Sequence, residues 1–222
     1  MIHTKSYTAP PYNKAEILRY AGARECTPDI LSLLEDCLRE LEGKLNLQVC
    51  WTETPLHLHG TDVTMGSIHV TSASLATHLN DCSQAILFAA TTGIGLDRLI
   101  ARYSRVSPVK ALLFQAIGAE RIERLCDLFC DDMAAQQSLL GKGVTRRFSP
   151  GYGDLPLNLQ GDLFQILDCP RKIGLTLNQS LLMSPSKSVT ALMGIGPLSC
   201  THGHTSGCAA CSQESCIYRR TT

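Results

Sequence analysis

Apolar residues recur at Ile30, Leu34, Cys37, Leu38 and Leu41 with the three- and four-residue spacing of one helical face. Thr27 stands in front as a hydroxyl cap, Pro28 suits the first helical position, Asp29 complements the positive end of the dipole, and Gly43 offers the stop. Leu47 to Thr52 reads as a strand. The polar, histidine-containing stretch that follows, broken by Gly60 and Gly66, reads as strands and turns. Ala85 to Ala90 is a continuous apolar run, the pattern of a strand covered on both faces. Thr91-Thr92-Gly93-Ile94-Gly95 then turns the chain into a helix through Leu96, Leu99 and Ile100, and Ser107-Pro108 caps a longer helix reaching toward Leu140, with Lys110 set against its dipole. After Gly141 and Gly143, strand-like runs from Ile173 to Met183 and from Val189 to Ile195 flank a Ser184-Pro185-Ser186-Lys187 turn. From Leu198 the hydrophobic pattern stops and cysteines take over. There is no internal repeat. The elements predict an α+β fold, with helices in the first two-thirds and antiparallel strands later.

Composition narrows the functional classes. The 222 residues are 44% hydrophobic and 18% charged, an ordinary globular balance, and Lys plus Arg equals Asp plus Glu. Zero formal net charge gives no general pull toward nucleic acid or an acidic membrane. The N-terminal residues lack the basic-then-apolar pattern of a secretory leader, and no apolar run approaches the length of a membrane span. A cytoplasmic protein is expected, with most of its eleven cysteines held as thiols.

Two places carry candidate chemistry within the hydrophobic pattern. On the long helix, Leu112, Ala116, Ala119, Cys126 and Cys130 share a face with Glu123, while Glu120 and Asp127 lie at its edge. A carboxylate drawn out of water needs a positive or hydrogen-bonding partner. Either an Arg or Lys elsewhere in the chain or a ligand cation such as an α-ammonium meets that need. Further on, Arg147-Phe148-Ser149-Pro150-Gly151-Tyr152 places an Arg and an aromatic ring across a Pro-Gly turn. An Arg fork matches a carboxylate at two points, and a Tyr ring offers a face to a planar base.

Arg-x-x-Pro-Gly-Tyr resembles the S-adenosylmethionine motif of the activation domain of cobalamin-dependent methionine synthase. Arg19-Tyr20-Ala21-Gly22, the run from Ala85 to Arg102, and Lys172-Ile173-Gly174-Leu175-Thr176-Leu177 through Gly194 look like the shorter, stand-alone members of that family. The resemblance covers about residues 15 to 197. It implies helices packed around a twisted, mainly antiparallel sheet. It also implies that Arg147 pairs with the methionyl carboxylate, Glu123 lies near the ammonium, Tyr152 packs on the ligand, and the Ser149 and Gly151 backbone lines the pocket. Gly153-Asp154-Leu155-Pro156 differs from the Pro-Ala-Cys-Pro continuation of the full synthase module. Met193-Gly194 stands where the family carries an aromatic pair, and the family's N-terminal aspartate has no clear match.

The implied function is reactivation. One electron plus a methyl group from S-adenosylmethionine restores methylcobalamin from a stalled cob(II) corrinoid, and the protein's part is to position the methyl group. No Asp-x-His-x-x-Gly corrinoid motif occurs, so the cobalamin would belong to a partner, a cobalamin-binding protein or a methionine synthase core, together with an electron donor. A non-catalytic docking subunit of a corrinoid protein is the alternative. Thr92-Gly93-Ile94-Gly95 lacks the third glycine of a dinucleotide fingerprint, which would fall at Arg98, and is expected to be a structural turn.

Residues 1–198 are expected to form the activation-like domain and residues 199–222 a Cys-rich tail. In that tail Cys200, Cys208, Cys211 and Cys216, two of them as Cys-x2-Cys, have the composition of a thiolate site for zinc or an iron–sulfur cluster. The competing reading is a tail with incidental thiols, and a zinc-knuckle regulator is a third functional possibility. Cys37, Cys126, Cys130 and Cys169 sit among apolar residues and are expected in the core.

Overall fold

The apolar run around Phe88 becomes the middle of a seven-stranded sheet in the computed structural model, which describes residues 1–23 and 27–200. The elements are β1 (His3–Ser6), α1 (Lys14–Tyr20), α2 (Pro28–Leu41), β2 (Gln48–His59), β3 (Asp62–Met65), β4 (Ile68–Thr71), α3 (Ala73–His78) and β5 (Gln84–Thr91). They continue with α4 (Gly95–Val106), α5 (Pro108–Leu139), β6 (Lys142–Val144), α6 (Leu159–Leu167), α7 (Cys169–Ile173), β7 (Thr176–Leu177), β8 (Met183–Ser184) and β9 (Ser188–Pro197). A 3-10 turn over Leu198–Cys200 follows. The sheet order is β4-β3-β2-β5-β9-β6, with β1 beside the first half of β2, and all these pairings are antiparallel.

The expected α+β class with a mainly antiparallel sheet is what forms, but strands and helices are distributed differently along the chain. Five strands precede residue 92, and β9 returns to lie beside β5, from Gln84↔Ile195 to Thr91↔Ser188. The stretch from Ile173 to Met183 is not a strand: α7 ends at Ile173, and only Thr176–Leu177 and Met183–Ser184 pair, as a small separate hairpin. Thr27 caps α2 as expected, its hydroxyl accepting from Ile30 N at 3.4 Å. Ser107 makes no side-chain cap on α5. Lys110, unfavourable beside that helix start, finds Glu40 at 4.0 Å and the Tyr103 ring at 5.0 Å. Gly93 has φ +82°, and a Cβ on Gly95 would lie 2.1 Å from Lys44 O, so these glycines serve a tight turn against residues 44–46.

The sheet is covered on both faces, which is why β5 needs no polar alternation. On one face Ile122, Leu125, Cys126, Phe129 and Met133 of α5 pack on Ile86, Phe88 and Met193, and the Phe88 and Phe129 rings meet at 4.7 Å. On the other, Leu75 of α3, Leu79 just after it, and Leu159 and Leu163 of α6 pack on Leu87 and Leu192. A third cluster gathers α1, α2 and α4 around Leu113, Phe114 and Ile117 in the first half of α5. Cys37, Cys126 and Cys169 are fully buried and Cys130 is half-buried, and no disulfide joins any of the six cysteines whose side chains are described. Burial pushes the Cys130 thiol up to about 12, so it is no nucleophile at neutral pH. None of the described helices is long and apolar enough to cross a membrane.

The long helix changes partners halfway along, and this corrects the placement of its carboxylates. Leu112 is 50% exposed, and the buried acid is Glu120, at 4%, not Glu123. Glu120 is met by the fully buried Arg121, with Nε to Oε2 at 2.5 Å and Nη2 to Oε1 at 2.6 Å. Arg121 also donates to Pro10 O at 2.6 Å and Pro11 O at 3.1 Å, while Asn13 N donates to Glu120 at 3.2 Å. The guanidinium stacks over the Tyr12 ring at 4.2 Å. This charged pair ties the segment between β1 and α1 to the middle of α5.

Candidate functional site

Arg147 lies on an extended arm between β6 and α6, and the backbone on both sides of it is fixed. Thr145 N donates to Gly194 O and Gly194 N to Thr145 Oγ1, each at 2.9 Å. Phe148 and Leu192 exchange both backbone bonds, at 2.8 and 2.9 Å, so the arm continues the β9 edge as a single isolated bridge. His78 donates from Nε2 to Arg146 O at 2.7 Å, and its ring lies 5.0 Å from that of Phe148.

The Pro-Gly turn forms as its sequence requires. Tyr152 N donates to Ser149 O at 3.2 Å, and Gly151 has φ +90°, the third-position geometry of a type II turn. The residues that depart from the family pattern then dock this turn onto α3. Asp154 accepts from Ser72 Oγ at 2.5 Å, Ala73 N at 2.7 Å and Ser74 N at 3.1 Å, closing the helix start. Gly153 has φ +56° and leaves no room for a side chain, since a Cβ would lie 2.6 Å from Ser74 Oγ. Gly194 is equally confined, its Cβ position 2.5 Å from Cys82 Sγ, so an aromatic side chain does not fit there.

The Ser72 hydroxyl, helped by the two amide bonds, holds the Asp154 carboxyl well below the usual carboxylate range. A depressed folded-state value means that the loop's anchoring is fully present above about pH 4, where the unfolded carboxyl ionises, and is lost as pH falls toward the folded value. Asp154→Asn is therefore expected to melt lower than the parent at pH 7. That difference should shrink as melting curves are repeated between pH 4 and pH 2. A constant difference across that range would detach Asp154 from the effect.

Glu123 and Arg147, expected to serve opposite charges of one ligand, bond to each other in this structure, through Oε2 and Nη2. Asp127 Oδ1 stands 3.4 Å from Arg147 Nη1. The Arg147 side chain is 25% exposed and that of Glu123 39%, so the pair sits at the wall of a cleft, neither sealed nor free in solvent. Burial alone lowers the Arg147 pKa, but the surrounding acidic groups overcome it and the net shift is upward. The cleft has a volume of about 380 Å³ and is walled by Glu123, Arg147, Phe148, Ser149, Pro150 and Tyr152 on one side, with Gln160, Met183, Ser188, Val189 and Thr190 completing it. Tyr152 is 68% exposed at its lip. Gly151 shapes the turn without lining the cleft. A second, wider cleft of about 1050 Å³, between the Pro10–Glu16 segment and α5, also has Glu123 in its wall.

Sequence reasoning missed Gln160 and Thr190. Both are buried, at 7% and 2% exposure, and among the described residues Gln160 Oε1 and Thr190 Oγ1 have no hydrogen-bond partner. The available signal was an amide in the first turn of an apolar helix and a hydroxyl inside an apolar strand. Of the tail thiols, Cys208, Cys211 and Cys216 lie outside the described residues, and only the backbone of Cys200 is described. Among the described residues no group of three or more His, Cys, Asp and Glu side chains is placed to hold a metal ion.

No model of a protein family matches the sequence, and no curated protein matches it. The fold is similar to the crystal structure of the MetH reactivation domain bound to AdoHcy, with a TM-score of 0.62 over 89% of this chain and 79% of that one. The two sequences are 14% identical over that match, so the likeness is one of fold.

Proposed function

We propose that the protein binds S-adenosylmethionine in the Arg147 cleft and serves as a reactivation component for a cobalamin-dependent methionine synthase or a related corrinoid methyltransferase. The observation that carries this reading is the Arg147–Glu123 pair at the cleft wall. A zwitterionic amino-acid group can enter such a pair by exchange, its carboxylate taking the Arg147 fork and its ammonium taking Glu123. Neither protein charge is then left unpaired. At the lip of the cleft the exposed Tyr152 ring offers a face to the flat base of the ligand. The cleft volume falls within the range of small-molecule sites. A neighbouring fold that binds AdoHcy supports the same assignment.

When bound, the ligand supplies a sulfonium methyl group for transfer to a corrinoid held by a separate cobalamin-binding protein. The chain's own residues bind and orient. Arg147 and Glu123 fix the amino-acid end, Tyr152 and the Ser149–Pro150 segment cover one side, and the Asp154 anchor keeps that segment on α3. Calorimetric titration of the full chain with S-adenosylmethionine is expected to give saturable, one-to-one heat. Absence of heat would overturn this reading in favour of the alternative, a subunit that docks on a corrinoid protein.

The tail belongs to the same proposal as a separate appendage. Deleting residues 199–222 is expected to leave a folded, ligand-binding domain. Full-length protein prepared without oxygen should carry stoichiometric zinc or iron that the paired Cys208→Ser and Cys211→Ser changes remove. Metal-free anaerobic protein with all four tail thiols freely alkylated would refute the metal site.

A further inference from the structure

We infer that Cys50 and Cys169 are a covalent modification site, a thiol pair that a peroxide closes to a disulfide and a thiol reductant reopens. Cys50 lies in β2, an interior strand of the sheet, and Cys169 is the first residue of α7, which packs on that strand. Both are fully buried in one apolar cluster with Ala89, Phe164, Leu167 and Ile173, and over half of the chain lies between them in sequence. Within that cluster the two thiols hydrogen-bond to each other. The sulfurs are therefore already neighbours, the first condition for a disulfide. Neither lines the Arg147 cleft, so the inference stands apart from the ligand-binding reading.

Cys50 also differs from other buried thiols of the chain. Burial pushes Cys37 up to about 11 and Cys126 higher still, which silences both at neutral pH. The hydrogen bond from Cys169 holds Cys50 below its ordinary value against the effect of burial, with help from the backbone at Ala89 and Cys50 and from the Lys172 charge. Cys169 is raised by the same bond and by burial, so it keeps its proton and donates it. Cys50 is then the sulfur that attacks. Its thiolate takes one oxygen of hydrogen peroxide, the O–O bond breaks, and the departing hydroxide becomes water with the proton that Cys50 released. The Cys169 sulfur next displaces the hydroxyl of the sulfenic acid, which leaves as a second water with the Cys169 proton. Two thiols have lost two electrons, and one peroxide has become two waters. Entry is through α7, a five-residue helix held between two left-handed residues, Asp168 (φ 47°) and Gly174 (φ 65°), and able to open as a unit. The new bond ties α7 to β2 and stiffens the layer that carries Met183, a wall residue of the Arg147 cleft.

The test uses the reduced full chain, hydrogen peroxide in slight excess, and peptide mapping after unfolding in the presence of an alkylating agent. Cys50 and Cys169 are expected in one disulfide-linked pair of peptides that dithiothreitol releases, while Cys37 and Cys126 are recovered alkylated. The oxidised chain should melt about 4–15 °C above the reduced one, because the cross-link closes a long loop in the unfolded state. Cys50→Ala and Cys169→Ala should each lose that rise, whereas the tail thiols are common to parent and variants and cancel. Recovery of Cys50 and Cys169 both alkylated after the treatment, or of Cys50 as a sulfinic acid with Cys169 free, would overturn the pair. A rise that persists in Cys169→Ala would place the cross-link on other thiols and overturn it too. The peptide map needs only the parent protein, so it decides the question even where a variant folds poorly.

Discussion

Replacing Arg121 by leucine is expected to cost about 3–5 kcal/mol of folding stability, the loss typical of breaking a buried ion pair from one side. The guanidinium is fully buried and has four oxygens around it: both from Glu120 and the carbonyls of Pro10 and Pro11. Leucine, too short to reach the Pro10 and Pro11 carbonyls, leaves a carboxylate buried at 4% exposure with only the Asn13 amide for company. That asymmetry is what makes the loss large, since desolvation of Glu120 is then uncompensated. Urea unfolding should show a lower midpoint with an unchanged slope, and the melting temperature should fall by roughly 6–20 °C. Adding Glu120→Leu should recover part of the loss, because the stranded charge is removed with its partner. A stability within about 1 kcal/mol of the parent would show that the pair contributes no more than a surface ion pair.

Arg147→Ala is expected to weaken S-adenosylmethionine binding by about 1.5–3 kcal/mol, or roughly 10- to 150-fold, the range for hydrogen bonds to a charged group. Stability should change little, because the Arg147–Glu123 pair is partly exposed and pairs of that kind contribute about 0–1 kcal/mol. Arg147→Lys keeps the charge and loses the fork, so it should not restore affinity. Decarboxylated S-adenosylmethionine separates the two roles of the guanidinium. It has no carboxylate for Arg147 to hold, so parent and variant should bind it alike. Equal affinity of parent and Arg147→Ala for the intact ligand would remove Arg147 from the site.

The parts of this fold that are legible in the sequence are those with a local cause. Thr27-Pro28-Asp29 announces α2, the unbroken apolar run announces β5, and Ser149-Pro150-Gly151-Tyr152 announces the turn. Glu123 stands out in the sequence for a reason that the fold does not uphold. A single apolar stripe can be traced along the whole of α5, but its first half packs among helices through Leu113, Phe114 and Ile117, and its second half packs on the sheet through Ile122, Cys126 and Phe129. The buried face rotates where the partners change, and that rotation puts Glu120 and Arg121 inside and Glu123 at the cleft. No count of spacings contains that information, because it depends on which elements land on either side of the helix. Gln160 and Thr190 are hidden for the same reason. Each is an ordinary polar residue in its own element and becomes informative only where α6 and β9 meet. β1 and β7 are too short to show alternation.

The position of β9 orders events as the chain is made. Thr91 and Ser188 are 97 residues apart, so β5 emerges from the ribosome long before the strand that covers its second edge. In that interval an apolar strand stands with an open ladder, the condition that invites wrong pairing and calls for chaperone protection. The Arg147 arm waits with it, since Phe148 and Thr145 have their backbone partners only on β9. A nascent chain stopped before residue 188 would hold Arg147, Glu123 and the Pro-Gly turn and still have no cleft between them. Binding at the proposed cleft would therefore report that translation has passed β9 and that the last central strand has found its place.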